Sequence, residues 1–234
     1  MANTIELLDY FRKYPVFDSA TVKNKTGKSD SYANLLIHRL KKRELILQIE
    51  RDKYTVFNDP FLLASRLVWP SYISCWSALK YHNLTEQVPQ EITVVTTASK
   101  KAILFENSKI RFIKLRPPVF FGYGKEKFEG FDIFVADAEK ALIDSALLGE
   151  VSISEIKEIL ENNIKELNLG RLVAYLKRVG NRSLIKRFGY LLESMGKDCF
   201  KSLRKFIGDM YVQLDRSKAA GRNKNEKWRV VVNA

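Results

Sequence analysis

Cysteine and histidine are scarce in this chain, and their scarcity narrows the chemistry open to it. The 234 residues include two cysteines and two histidines. Cys75 and Cys199 lie far apart, so neither has the paired spacing of a zinc site or redox couple, and we expect two buried free thiols. Neither His38 nor His82 has a metal-ligand partner at a useful spacing. We therefore expect no metal and no cofactor.

Long apolar runs are missing as well. No run reaches the roughly 18 to 20 residues that a membrane-spanning helix needs, and the N-terminal residues lack the apolar segment of a signal peptide. Two common enzyme motifs, a glycine-rich phosphate loop and a nucleophile elbow, are also absent. These absences predict a cytoplasmic protein that binds no membrane and is not an enzyme.

Positive charge is abundant. The chain has 40 Lys and Arg residues against 27 Asp and Glu residues, which gives a formal net charge of +13. An excess of this size favours a polyanionic partner such as nucleic acid. This charge excess raises the affinity for nucleic acid but does not select a base sequence. Binding to nucleic acid should therefore weaken steeply as the salt concentration rises.

Residues 29–57 resemble a DNA-recognition helix that runs into a basic hairpin. Apolar residues recur at helical spacing and predict one buried face, made of Tyr32, Leu35, Leu36 and Leu40. Polar residues share the other face, namely Ser31, Asn34, His38 and Lys41. Next, Leu45, Leu47 and Ile49 alternate with polar residues, and a turn at 50–53 leads to Tyr54 and Val56. This pattern predicts a short hairpin with Arg51 and Lys53 at its tip.

The residues upstream complete a winged helix-turn-helix. Ile5, Leu8 and Phe11 predict a first helix, and a second helix should begin at Asp18 or Ser19 and end at Gly27. In such domains the helix after the tight turn lies in the major groove. We therefore expect Asp30, Ser31, Asn34 and His38 near base edges, and Lys28, Lys41, Lys42, Arg51 and Lys53 near phosphates. The alternative is a protein-docking module of the same shape, with basic residues that form only a solvated face.

The predicted fold class is α+β, with a winged helix-turn-helix at 1–60 and a larger mixed α/β domain at 61–234. The second domain should hold a small sheet at about 70–150, a bundle of helices at about 152–208 and terminal strands at about 211–232. Its predicted parts are a helix opening at Pro70-Ser71, strands at 91–97, 111–115 and 131–135, a glycine loop at 122–130, and a helix from Asp137 to Gly149.

Asp137, Glu139, Lys140 and Asp144 resemble the acidic cluster and lysine of a nuclease, so an enzyme must be weighed. On a helix, however, Asp137 and Glu139 should point to different faces, as an N-cap and a first-turn charge. Lys140 and Asp144 have the spacing of an ordinary i, i+4 ion pair. The cluster is therefore predicted to be structural.

Three segments carry a family resemblance. Residues 70–89, PSYISCWSALKYHNLTEQVP, with the strand at 92–97, are similar to a characteristic segment of the AbiEi family of antitoxins. Residues 136–144, ADAEKALID, resemble that family's D-x-E-K-A-L-x-D helix start. Residues 221–233, GRNKNEKWRVVVN, are similar to its G-x-x-N-x-x-W-x-x-x-x-N ending. Asn83 stands where the family usually has glycine, and asparagine tolerates the same backbone.

The resemblance implies a regulator from a toxin–antitoxin system of phage defence. Such proteins bind inverted repeats in their own promoter through the winged helix, with two protomers expected on the DNA, and repress the operon. Their C-terminal domain neutralises a nucleotidyltransferase-like toxin without a stable complex. The alternative is a stand-alone transcription regulator with a ligand-sensing C-terminal domain, whose pocket would be lined by Phe120, Phe121, Tyr123 and Phe128.

The C-terminal stretch is itself basic and suggests a second nucleic-acid surface. The residues that would form it are Arg204, Lys205, Arg216, Lys218, Arg222, Lys224 and Lys227. It would extend the DNA footprint or compete with the toxin for RNA. The alternative is a solvated face of a basic protein.

Overall fold

The computed structural model describes residues 4–219 and 221–233, and their mixture of helices and strands confirms the predicted α+β class. The helices are α1 (Thr4–Phe11), α2 (Ser19–Thr26), α3 (Asp30–Lys42), α4 (Pro60–Ala64), α5 (Cys75–Tyr81), α6 (Ala138–Leu148), α7 (Ile153–Asn163), α8 (Leu169–Val179), α9 (Arg182–Ser194) and α10 (Phe200–Leu203). The strands are β1 (Leu47–Glu50), β2 (Lys53–Thr55), β3 (Ser71–Ile73), β4 (Glu91–Thr96), β5 (Ile103–Phe105), β6 (Ser108–Lys114), β7 (Tyr123–Phe128), β8 (Phe131–Ala136), β9 (Val212–Gln213), β10 (Asn223–Asn225) and β11 (Val230–Val232). In the described ranges, no helix is long and apolar enough to cross a bilayer.

The chain divides into two compact units, each assembled from separate stretches. Unit 1 comprises the chain up to Tyr72, Gln90–Lys114 and Lys125–Phe134. Unit 2 comprises Ile73–Pro89, Leu115–Gly124 and the chain from Val135 onward. The domain boundary expected near residue 60 stays a prediction.

The first part of unit 1 is three helices and a hairpin, in the predicted order. Helix α2 begins where predicted because the Asp18 carboxylate accepts a hydrogen bond from the Thr21 backbone N–H at 2.8 Å. It ends at Gly27, whose φ of 65° is left-handed. Strands β1 and β2 pair antiparallel, and Phe17 forms a β-bridge with Tyr54. The segment between α1 and α2 is therefore tied to the hairpin.

The buried faces of α1 and α3 differ from the prediction. Ile5 and Leu35, expected inside, are 66% and 46% exposed. The core of this region instead contains Leu7, Phe11, Phe17, Val22, Ala33, Ile37, Leu40 and Ile46. The buried face of α3 is centred on Ala33 because α2 packs against it, and a methyl side chain permits a close approach of the two helices. The pattern of large apolar residues in the sequence does not identify Ala33 as the centre of the buried face.

A six-stranded sheet has the order β5-β6-β4-β3-β8-β7. Strand β4 confirms the strand expected at 91–97 and pairs parallel with β6, and β5 pairs antiparallel with β6. Strand β8 is also as predicted. Strands β5 and β7 were not predicted, and β7 occupies most of the expected glycine loop. Its middle residues Lys125, Glu126 and Lys127 are exposed at the sheet edge, so no apolar alternation marks it.

The helix expected to open at Pro70-Ser71 begins later. Residues Ser71–Ile73 form strand β3, and α5 starts only at Cys75. All three residues of β3 are buried, because the strand lies between β4 and β8. A central strand with both faces covered has no alternation to distinguish it from a helix. Asn83 adopts the predicted left-handed conformation, with a φ of 56°.

The helices of unit 2 follow the local signals in the sequence. Helix α6 ends at Gly149, whose φ is 72°. Helix α7 begins with a capping box, in which the Ser152 hydroxyl and the Glu155 carboxylate each accept a backbone N–H of the other residue. Helices α7, α8 and α9 lie within the bundle of helices predicted at about 152–208.

The C-terminal strands form a small sheet of order β10-β11-β9. Strand β11 pairs antiparallel with β10 and parallel with β9, so it is docked rather than free, within the range predicted for the terminal strands. The residues of strand β10 are polar and mostly exposed, so no apolar pattern in the sequence indicates this strand. The Trp228 ring is fully buried against Gly189 of α9, and its indole N–H donates to Glu193. Trp228 therefore anchors the end of the chain.

Gly189→Ala tests this anchor. A Cβ at position 189 would stand 2.0 Å from Cζ3 of Trp228, so the ring would have to move. We expect a loss of about 1–3 kcal/mol in the free energy of unfolding, as for other overpacked sites. Urea unfolding measures it. The matched control is Gly208→Ala, whose Cβ would approach Arg182 only to 3.6 Å. Equal stability of the two variants would show that Trp228 is not closely packed.

Candidate nucleic-acid interface

One face of α3 is polar and open to solvent. Ser31, Asn34, His38 and Lys41 are all exposed, as predicted, and they follow one another at helical spacing. The opposite face is fixed in the core by Ala33, Ile37 and Leu40. Burial of that face holds the helix in place and sets the direction of the polar one. Side chains that project from a rigid helix are suited to contact a groove of DNA.

The start of α3 carries both signs of charge. The Ser29 hydroxyl accepts the Tyr32 backbone N–H at 3.3 Å and caps the helix. Asp30, expected near a base, is exposed and pairs instead with Lys23, with 2.9 Å between Nζ and Oδ1. Lys28 is exposed just before the helix. The carboxylate of Asp30 therefore has a cation beside it, which weakens its repulsion of phosphate.

The turn of the hairpin is held against α2. Asp52 has a left-handed φ of 55°, and its carboxylate accepts the Ser19 backbone N–H at 3.0 Å. Arg51 precedes it and is exposed, in agreement with its predicted place at the tip. A turn fixed in this way presents the Arg51 guanidinium from a defined position relative to α2.

Lys53, the second basic residue expected at the tip, is directed into the protein. Its ammonium donates to the Leu67 carbonyl at 2.7 Å and lies 2.8 Å from Oε1 of Glu50. Lys100 approaches the other oxygen of Glu50 at 2.7 Å. Burial alone would raise the pKa of Glu50, but the hydrogen bonds from Lys100 and Lys53 outweigh it and lower that pKa. No local pattern could reveal Lys100, which is 50 residues from Glu50 in the chain.

Six of the nine predicted DNA-binding residues keep their polar groups open. Among the described residues, none of the six has a side-chain hydrogen bond or ion-pair partner; they are Lys28, Ser31, Asn34, His38, Lys42 and Arg51. Asp30, Lys41 and Lys53 are engaged within the protein, Lys41 with the Gln48 side chain. The available surface is therefore the polar face of α3, its two ends and the tip of the turn.

The basic residues of the C-terminal stretch also lie at the surface of unit 2. Arg204, Lys205, Arg216, Lys218, Arg222, Lys224 and Lys227 are all exposed. Three of them are partly committed. Lys227 pairs with Glu193, and the ammonium groups of Lys205 and Lys224 lie 5.3 Å from the ring centres of Phe206 and Tyr211. Arg229, which the sequence analysis did not single out, contacts the Tyr211 ring and donates to the Tyr211 hydroxyl at 3.0 Å.

Asp215 holds this basic stretch to α7. One oxygen accepts the backbone N–H and hydroxyl of Ser154 at 3.2 and 2.8 Å, and the other accepts those of Ser217 at 2.9 and 2.6 Å. Burial would raise the pKa of Asp215, but the hydrogen bonds from Ser217 and Ser154 lower it to about 2. The carboxylate therefore stays ionised and keeps the start of the basic stretch in place.

Lys140 and Asp144 are more than the ordinary surface pair that their spacing indicated. Both side chains are fully buried, they form an ion pair, and Asp144 also accepts the Ser74 hydroxyl at 2.9 Å. Burial lowers the pKa of Lys140, and the charge of Asp144 opposes that shift. Both side chains therefore lie in the interior of unit 2.

Asp137 and Glu139, expected to point apart, both bind to α8 and its N-cap. Asp137 is the N-cap residue of α6, yet its carboxylate accepts the Tyr175 hydroxyl at 2.5 Å rather than capping the helix. Glu139 is buried and accepts the Asn168 backbone N–H and Nε of Arg171, both at 2.7 Å. The whole acidic cluster is accounted for by contacts that hold α6 to its neighbours.

The aromatic residues that would line a sensor pocket are packed against other rings. Within unit 2, ring centres lie 5.2 Å apart in the pairs Phe120–Tyr123 and Phe121–Tyr175, and within unit 1 Phe128 lies 5.1 Å from Phe61. Each of the four rings therefore has an aromatic neighbour in the fold.

The remaining histidine and cysteines have ordinary surroundings. His82 is the C-cap residue of α5, with Nε2 at 2.7 Å from the Ala136 carbonyl oxygen. Cys75 is a buried free thiol, as predicted, whereas Cys199 is only partly buried. Burial raises the pKa of both thiols, that of Cys199 to about 11. In the part of the chain that the structure describes, no cluster of three or more potential ligand side chains could hold a metal ion.

Comparison with known proteins gives no match: no protein-family model matches this chain, and neither does any curated protein.

Asp215→Asn tests the anchor of the basic stretch. A carboxyl whose pKa is about 2 when folded and near 3.8 when unfolded stabilises the fold above about pH 4, and that contribution disappears as the pH falls through about 2. We expect the variant to lose about 2 kcal/mol of unfolding free energy at pH 7 and to approach the parent protein near pH 2. Urea unfolding at several pH values measures it. The exposed Asp209→Asn serves as control; a loss at Asp215 that does not depend on pH would contradict the assignment.

Proposed function

We propose that this protein is a DNA-binding transcription regulator that reads its own promoter. The observation that carries the proposal is the exposed polar face of α3, fixed from behind by a buried apolar face. A helix fits the major groove, which is about 12 Å wide, and amide, imidazole and hydroxyl groups are suitable partners for base edges.

The elements around α3 support a winged helix-turn-helix. Helix α2 ends at Gly27, and only Lys28 and Ser29 separate it from α3. The hairpin β1–β2 follows directly and carries Arg51 at its turn. In this class of domain the helix contacts bases and the wing contacts the phosphate backbone. Lys28, Lys42 and Arg51 would supply the phosphate contacts here, supported by the net charge of +13.

The wider proposal, that the regulator is also an antitoxin, rests on the resemblance of three segments to the AbiEi family. In the structure these segments are β3 to β4, the start of α6, and β10 to β11. The protein would repress its own operon by binding inverted repeats with two protomers, and its C-terminal part would neutralise a nucleotidyltransferase-like toxin without a stable complex. Co-expression with a neighbouring gene of that type tests this: restored growth supports the proposal, and growth arrest that persists rejects it.

A gel-shift titration tests the DNA-binding proposal. The purified protein is titrated against a duplex from its own upstream region and against a scrambled duplex, at two salt concentrations. We expect preference for the upstream duplex, lost in the double variant Asn34→Ala, His38→Ala. Because each good base contact contributes about 1–3 kcal/mol, the double variant should bind the upstream duplex at least about tenfold more weakly.

The matched control for the gel shift is Asn162→Ala, an exposed amide on α7. It should bind both duplexes as the parent protein does. If the parent protein binds the two duplexes equally well and in a salt-sensitive way, its positive charge binds DNA of any sequence. That result would reject the proposal that α3 recognises a sequence.

The C-terminal basic surface has a separate test. Replacing Arg216, Lys218, Arg222 and Lys224 with alanine should reduce affinity and lower the slope of log K against log salt by about 0.9 for each phosphate that the variant no longer neutralises. The control removes the same charge from exposed lysines elsewhere, at Lys13, Lys101, Lys114 and Lys165. If the slope stays that of the parent, or changes equally in both variants, this stretch is not a distinct nucleic-acid surface.

A further inference from the structure

A cavity of about 340 Å³ in unit 2 opens between the end of α6, the start of α7 and the segment after β9. One wall is apolar and includes Ala146, Leu147 and Val151. The other wall carries Arg187 and Arg216. Cavities of this size are at the lower end of the range that holds small ligands.

Arg187 lies on α9, and its side chain is largely buried. The residue is 5% exposed, and Nε donates to the Gln213 carbonyl at 2.9 Å. Among residues 4–219 and 221–233, the two terminal nitrogens of its guanidinium have no hydrogen-bond partner, and they are not sealed from solvent. An arginine offers five N–H donors, so these two groups are open to an acceptor that enters the cavity. The cavity that Arg187 lines is the place where acceptors would stand.

A second guanidinium acts on the same cavity. Arg216 is exposed at its edge, and burial followed by the charge of Arg216 lowers the pKa of Arg187. Asp215 also lines the cavity, and its negative charge opposes that lowering of the pKa of Arg187, although its two oxygens accept hydrogen bonds from Ser154 and Ser217. The two cations repel each other, and with the carboxylate of Asp215 the charged groups of the lining sum to +1, so a phosphate placed between the arginines would relieve the repulsion and accept from their donors.

We propose that this cavity binds the phosphoryl group of a small phosphate monoester, such as a mononucleotide. Arg187 would bind the phosphate from inside the cavity and Arg216 from its edge, while the apolar wall takes the organic part of the ligand. A phosphodiester is less suitable, because it carries an organic group on each side of the phosphate. Both groups would have to pass out through the opening of the cavity. The proposal is independent of DNA binding by α3.

Calorimetric titration of the full chain with ribonucleoside 5′-monophosphates tests the proposal. The dephosphorylated nucleosides and inorganic phosphate serve as comparison ligands. We expect at least one monophosphate to bind and its nucleoside not to bind. Arg216→Ala should weaken that binding about tenfold, which corresponds to about 1.4 kcal/mol and is close to what a hydrogen bond to a charged group contributes. Lys165→Ala, which removes an exposed cation that does not line the cavity, should leave it unchanged.

Arg187→Gln is the second variant and should abolish binding. Because Arg187 is buried, the folding of the Arg187→Gln variant is checked by circular dichroism. If that variant does not fold, Arg216→Ala decides the test, because Arg216 is exposed. The proposal is overturned if no monophosphate binds at about 10 mM, a concentration at which even a weak site would stabilise the protein. It is also overturned if the nucleoside binds equally well, or if Arg216→Ala binds as the parent does. Displacement of the monophosphate by a duplex without terminal phosphates would assign the cavity to nucleic acid and reject the small ligand.

Discussion

The buried ion pair between Lys140 and Asp144 is the interaction on which unit 2 depends. Removing two charges from water costs several kcal/mol per ion unless good geometry and further hydrogen bonds offset it. Here Asp144 also binds the hydroxyl of Ser74, at the start of α5, and the Lys140 ammonium lies 5.1 Å from the Phe121 ring centre. A Cβ at Gly122 would stand 2.9 Å from the Tyr175 ring and 3.1 Å from the stem of Lys140. One pair of charges therefore fixes α5, α6 and the segment before β7 together, and removal of either partner would leave the charge of the other without this ion pair in the core.

Elements whose ends are set by neighbouring residues could be predicted from the sequence. Helix α2 lies between the carboxylate of Asp18 and the left-handed Gly27, and α7 begins at a capping box, because a cap needs only residues a few positions apart. The exposed face of α3 could be predicted for a similar reason, since the helical period places its polar residues together whichever neighbour covers the opposite side. The sequence therefore predicts which residues of α3 are exposed at the candidate interface.

Features that depend on distant partners could not be predicted. Strand β3 is a strand because β4 and β8 flank it, and β7 and β10 are polar strands without alternation. At the candidate interface, the direction of Lys53 is decided by the Leu67 carbonyl and by a carboxylate that it shares with Lys100. The proposed role of Arg187 could not be predicted either, because it depends on which hydrogen-bond acceptors the folded chain brings to its guanidinium. In each case the deciding contact is absent from the neighbouring sequence.

The division of the chain into two interleaved units has a consequence for its synthesis. The last residue of unit 1 is Phe134, whereas unit 2 is completed only by β11, which pairs with both β9 and β10. Because a chain emerges from the ribosome N-terminus first, all of unit 1, including α3, is available to fold before the last elements of unit 2 have emerged. The nascent protein thus passes through a stage at which its proposed DNA-reading surface is complete and the early segments of unit 2 wait for their partners, a stage at which chaperones would find exposed apolar surface.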